Sequence, residues 1–273
     1  SAATFATAPH HAVAQVVDKL PFVSQTDKDR LRDRYTRVNT QKAIAITEAG
    51  GWGYSTGKDT IEAARQGALE ACEKDNRQYP CIIAAENDEL VFETRYDRDE
   101  LEARALRMIK STGLFQAAYY DEDKLTGVAP QNTRQTGAVH APTPITVPGA
   151  KTITTRQLVD LMYTEKAALV NVLDWREGAF AIPGTRWVQG LGTGRPLTPQ
   201  LKESVERALY DVQSDRDKPI VFYCVSWECW LSYNASLMAL ELGYRNVYWY
   251  RGGYAAWKEA GLPLVKSRLF RKI

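Results

Sequence analysis

After Lys151 the chain alternates short, almost wholly apolar runs with amphipathic stretches, and few folds accept that pattern. Ala168–Leu173 (ALVNVL), Pro219–Tyr223 (PIVFY) and Val247–Tyr250 (VYWY) are apolar nearly throughout. Between and around them, Thr155–Thr164, Pro199–Tyr210, Ser232–Leu242 and Tyr254–Ala260 read as helices. Thr154 or Thr155 supplies a cap for the first, and Gly243 a stop for the third. A strand with no polar face must be covered on both sides. The expected fold class is therefore α/β, a parallel sheet with helices on both faces. Ligands in such sheets meet the carboxyl ends of strands, beside helix N-termini. Cys224 falls at that place, directly after Tyr223.

A few residues separate Cys224 from the next helix, so loop amides and the helix N-terminus are expected to face its sulfur. Both favour a thiolate, a persulfide or an incoming anion. Cys229 lies five positions on, close enough for a disulfide across the loop. Three readings stand on the residues alone. Cys224 attacks a sulfur donor or disulfide and Cys229 resolves the product; or the pair is a permanent structural disulfide; or both thiolates hold a metal. The last has little support, because the histidines (His10, His11, His140) lie far from either cysteine pair and neither pair has C-x2-C spacing. No metal and no cofactor are expected.

The run "IVFYCVSWECWLSYNASLMALELGYRNVYWYRGG" resembles the catalytic stretch of rhodanese domains, and "LVNVLDWREGAFAIPGTRWV" resembles their Asp-x-Arg and Ile-Pro-Gly segments. The resemblance implies a rhodanese-like domain over 151–273 with sulfurtransferase activity. It makes Cys224 the sulfur-carrying nucleophile and Asp174 and Arg176 a supporting pair at a strand end. Val225, Ser226, Trp227, Glu228 and Trp230, with Arg251, would contact substrate. Gly252 and Gly253 would form the turn before the last helix. The substrate would be a small sulfur-containing anion or a partner protein thiol. Such loops commonly carry Gly and Arg, whereas this one carries Trp227, Cys229 and Trp230. Without the loop arginine, thiosulfate is expected to bind less well unless Arg176, Arg186 or Arg251 reaches in. The Cys…Cys-Trp feature is similar to a periplasmic subgroup associated with quinoprotein (PQQ-dependent) alcohol catabolism, which implies a quinoprotein dehydrogenase system as partner context.

Residues 1–110 read as a small α+β domain. It has a charged helix over 27–37, a strand at Lys42–Thr47, the turn Gly50–Gly53, a helix over 59–74, and strands at Cys81–Ala85 and Leu90–Phe92. Cys72 and Cys81 are placed to form a disulfide. The pattern WGYS, ALEAC, CII loosely resembles secreted domains of the DUF4189 type, which implies a structural or partner-binding role. Residues 111–150, with Pro130, Pro142, Pro144 and Pro148, read as a linker or an extended arm.

Four cysteines in two local pairs, and a start at Ser-Ala-Ala-Thr-Phe-Ala rather than Met, lead us to expect an exported, periplasmic protein whose signal peptide has been removed. A net charge of +2 gives no reason to expect nucleic acid, and no run approaches the roughly 20 apolar residues of a membrane span. The aromatic group Tyr244, Tyr248, Trp249, Tyr250, Tyr254 and Trp257 is expected to pack the core. Gly192–Arg195 is expected to be a plain loop, and Lys266–Lys272 a solvated basic end.

Overall fold

The computed structural model describes residues 15–38, 40–174, 176 and 178–273. His10 and His11 lie outside the described residues. The chain divides into two compact units, 1–107 and 108–273.

In the first unit, α1 (Gln25–Tyr35) starts at Ser24, whose hydroxyl accepts from the Asp27 amide. β1 (Gln41–Thr47) is the centre of an antiparallel sheet of order β2-β1-β3-β4, with β2 (Trp52–Lys58), β3 (Cys81–Glu86) and β4 (Glu89–Leu90). Period-two alternation sends Ile44 and Ile46 to one core with Leu31 and Tyr35. It sends Ala43 and Ala45 to the other, against Ala64, Ala68 and Cys72 of α2 (Ile61–Asp75). Phe92 does not continue a strand: it opens the short helix α3 (Phe92–Arg95), followed by α4 (Arg98–Ser111).

The second unit holds a six-stranded, all-parallel sheet of order β12-β8-β6-β9-β10-β5. Its strands are β5 (Lys151–Ile153), β6 (Ala168–Asn171), β8 (Thr185–Gln189), β9 (Ile220–Tyr223), β10 (Val247–Tyr250) and β12 (Leu269–Lys272). β7 (Phe180–Ala181) pairs separately with β11 (Val265–Lys266), antiparallel. The helices are α5 (Thr155–Thr164), α6 (Pro199–Val212), α7 (Trp230–Glu241) and α8 (Gly253–Glu259).

 Gly252 is the N-cap residue of α8. At the start of α5, Thr154 and Gln157 close a capping box, and Pro199 occupies the first turn of α6 behind Thr198. One core lies between the sheet and α6 and α7, with Val170, Val188, Ile220 and Phe222 facing Val205, Leu209, Ala235 and Met238. A side chain as fully buried as Phe222 contributes roughly 2–3 kcal/mol. Tyr244, Tyr248, Trp249, Tyr250 and Trp257 are buried and Tyr254 half-buried. The side chains of the basic end are mostly exposed, but its backbone is not free. Leu269–Lys272 is hydrogen-bonded along β8 as the sheet's edge, because the bare side of β8 needs backbone partners. Among the described residues, no helix is long and apolar enough to cross a membrane.

Candidate functional site

β9 delivers Cys224 to the carboxyl end of the sheet, and Cys229 is the N-cap of α7. The two form a disulfide with Cα atoms 6.2 Å apart. A second disulfide joins Cys72 and Cys81 in the first unit, with Cα atoms 6.3 Å apart. Cys224 is 1% exposed and Cys229 is fully buried.

The first turn of α8 fixes the loop from below. Tyr254 N–H donates to the Cys224 carbonyl at 2.9 Å, and Ala255 N–H to the Val225 carbonyl at 2.8 Å. This approach requires Gly253: its φ is +59°, and a Cβ there would strike the Cys224 carbonyl.

From above, residues of the segment before β5 close over the loop. Thr143 donates to the Trp227 carbonyl from its amide, at 3.1 Å, and from its hydroxyl, at 2.6 Å. The Trp230 amide, in the first turn of α7, donates to the Val139 carbonyl at 2.8 Å. Trp230 Nε1 donates to the Pro142 carbonyl, and the Glu228 amide to Ser226 Oγ. The expectation that the loop amides face the Cys224 sulfur thus fails for Glu228 and Trp230, whose N–H groups already have oxygen partners. Of the loop side chains, Ser226, Trp227 and Trp230 are buried, Val225 is half-buried and Glu228 is exposed.

Arg251 does not reach toward a substrate. It is 1% exposed, and its guanidinium donates to the Glu122 carbonyl, the Thr143 carbonyl and Thr143 Oγ1. Burial lowers its pKa from the ordinary arginine value, with Asp123 acting the other way. Its Cζ also lies 5.9 Å from the Trp227 ring centre, and Lys124 Nζ lies 4.7 Å from the same ring. Arg186 is exposed and stacks over Phe270. Asp174 and Arg176 are both exposed, and Asp174 accepts from Gln189 Nε2 at 2.9 Å. Arg251 and Arg186 are thus engaged with groups other than Cys224.

Beside the loop lies a cavity of about 440 Å³, lined by Val139, Val172, Asp174, Arg195 and Leu231, among others. Neither cysteine lines it. Leu231 belongs to the core that contains both cysteines, and Val139 packs against that core. Sequence reasoning missed Val139, Thr143 and Glu122, all outside the helix–strand pattern. Among the described residues, no group of three His, Cys, Asp or Glu gathers as a metal-ligand set.

Residues 154–260 match the model of the Rhodanese-like domain family. No curated protein matches the chain. Among solved structures, a thiosulfate sulfurtransferase from Pseudomonas aeruginosa is similar at 22% identity and TM-score 0.34, over 45% of this chain and 22% of that one. The chain therefore spans under a quarter of that enzyme's length. A polysulfide-sulfur transferase homodimer from Wolinella succinogenes is similar at 17% identity and TM-score 0.33, over 44% of this chain and 81% of that one. A full-length protein from Lactobacillus plantarum is similar at 17% identity and TM-score 0.33, over 44% and 89%. The stretch from Thr154 to Ala260 is a rhodanese-like domain.

Proposed function

We propose that Cys224 and Cys229 are a working dithiol–disulfide pair that handles sulfur. In the reduced state the Cys224 thiolate attacks the sulfane sulfur of a donor. The donor's S–S bond breaks, its remainder leaves as a thiolate or sulfite, and Cys224 carries a persulfide. The Cys229 thiolate then attacks the Cys224 sulfur, expels hydrosulfide and restores the disulfide; an external dithiol supplies the two electrons that reopen it. The observation carrying this reading is the Cys224–Cys229 disulfide, which joins a strand's carboxyl end to a helix N-cap inside a rhodanese-like domain. Asp174 and Arg176 then act as support for the strand end rather than as acid or base.

Mass spectrometry of the reduced protein after incubation with thiosulfate or polysulfide tests it. Cys229→Ser is expected to retain one added sulfur that cyanide removes, and Cys224→Ser to gain none. If neither the parent nor Cys229→Ser takes up sulfur, the pair is structural. The near-complete burial of both sulfurs favours that second reading, in which the module only binds a partner.

Two disulfides support an oxidising compartment, and we place the protein in the periplasm on that ground. A quinoprotein dehydrogenase system as partner context rests on the Cys229-Trp230 resemblance alone. The first unit is proposed to have a structural or partner-binding role.

A further inference from the structure

The segment between α4 and β5 contacts the cysteine loop and α7 at intervals of four residues. The Gln131 amide donates to Tyr233 Oη at 2.8 Å, and that hydroxyl donates back to the Gln131 carbonyl at 2.7 Å. The Gln135 amide donates to Asn234 Oδ1, while Asn234 Nδ2 donates to the Gln135 carbonyl. Val139 accepts from the Trp230 amide, and Thr143 binds the Trp227 carbonyl. Arg251 then holds Thr143 from the opposite side. All of these strap residues precede the stretch that matches the family model, so the contacts are an addition to the domain.

We propose that Gln131–Thr143 is a strap that closes the dithiol site and must lift before either sulfur can react. This rests on the proposed function and adds its regulation. In the closed state Val139 offers its carbonyl to the amide at the head of α7, while its side chain packs against the core containing the disulfide. Whatever takes that place must accept a hydrogen bond at a helix N-terminus, where negative charge is favoured. A thiolate or persulfide sulfur meets both conditions; a neutral apolar group meets neither. The strap thus competes with the kind of anion the chemistry requires.

The test uses the whole chain and its other disulfide as an internal reference. Dithiothreitol opens Cys224–Cys229 by thiol–disulfide exchange. It leaves as its own cyclic disulfide, and the two cysteines gain two electrons and two protons. Alkylation and peptide mass spectrometry follow this bond and Cys72–Cys81 separately, while hydrogen exchange follows the Trp230 amide. Tyr233→Phe removes both bonds to Gln131 without touching the cysteines. It is expected to speed opening of Cys224–Cys229 about tenfold, with Trp230 exchange rising in step, because two hydrogen bonds of ordinary strength are lost. Cys72–Cys81 should open at its original rate. Thr143→Val is the second variant, with the same expectation. The proposal is overturned if opening stays at the parent rate in a variant whose Trp230 exchange has risen, or if both quantities are unchanged in both variants. Sulfur uptake by the fully reduced protein is scored separately. A strap that gates reduction in a protein that takes up no sulfur would remove the sulfur chemistry and leave the strap.

Discussion

Glu122 is a carboxyl almost out of water, 4% exposed, and its neighbours define what it does. The Thr155 amide and hydroxyl and the Tyr119 amide donate to it, and its own carbonyl accepts from Arg251. Burial raises its pKa above the ordinary 4.5, outweighing those donors, and nearby Asp123 pushes the same way. A raised folded-state pKa means that the folded chain binds the proton more tightly than the unfolded chain. The stability this group contributes is full below the unfolded value and is lost as pH rises through the folded value. Denaturant midpoints of the parent should therefore fall, relative to those of Glu122→Gln, as pH is raised from about 4 into the neutral range. Parallel midpoint curves for the two proteins would show that Glu122 is not the titrating group. No local sequence pattern marks this site. Arg251 lies 129 residues from Glu122 and 108 from Thr143, and such pairings leave no periodicity to read.

Elements were legible where a side-chain period reports burial. α5, β9 and β10 lie where the apolar pattern places them, since each presents a continuous or amphipathic surface to a core. β8 and β12 did not show. Thr185–Gln189 (TRWVQ) and Leu269–Lys272 (LFRK) mix polar and apolar residues, and β12 lies at the edge with much of its surface in solvent. The strap was illegible for another reason. Most of its contacts use main-chain N–H and C=O groups, which every residue type carries. The proximity of Cys224 and Cys229 did follow from their spacing, whereas the covering of their loop did not. β12 carries a prediction of its own. Removing residues 269–273 would bare the backbone edge of β8 at Trp187–Gln189. An unpaired edge is a template for another chain, so the truncated protein should associate as its concentration rises, as read by sedimentation velocity. A truncated protein that sediments like the parent at every concentration would mean that β12 does not protect this edge.

At the scale of the whole molecule, each unit has its own core and its own disulfide. In the first unit, sheet and helix meet through small residues: Ala43 and Ala45 lie against Ala64 and Ala68, and a Cβ at Gly53 would strike the backbone of Cys72. Small side chains permit close approach but bury little apolar area each, so this layer gains less from the hydrophobic effect than the core around Phe222. Cys72–Cys81 ties the end of α2 to the start of β3 across that layer. Closing a loop with a sequence separation of 9 stabilises by up to about 3 kcal/mol in the loop-entropy picture. In the variant carrying both Cys72→Ala and Cys81→Ala, slow hydrogen exchange in β1 and β3 should accelerate by a factor on the order of 100. Amides of β6, β9 and β10 should keep their parent rates, because their protection comes from the second core. Equal acceleration in both sheets would mean that the two units unfold as one, and that the division at residue 107 does not separate their stabilities.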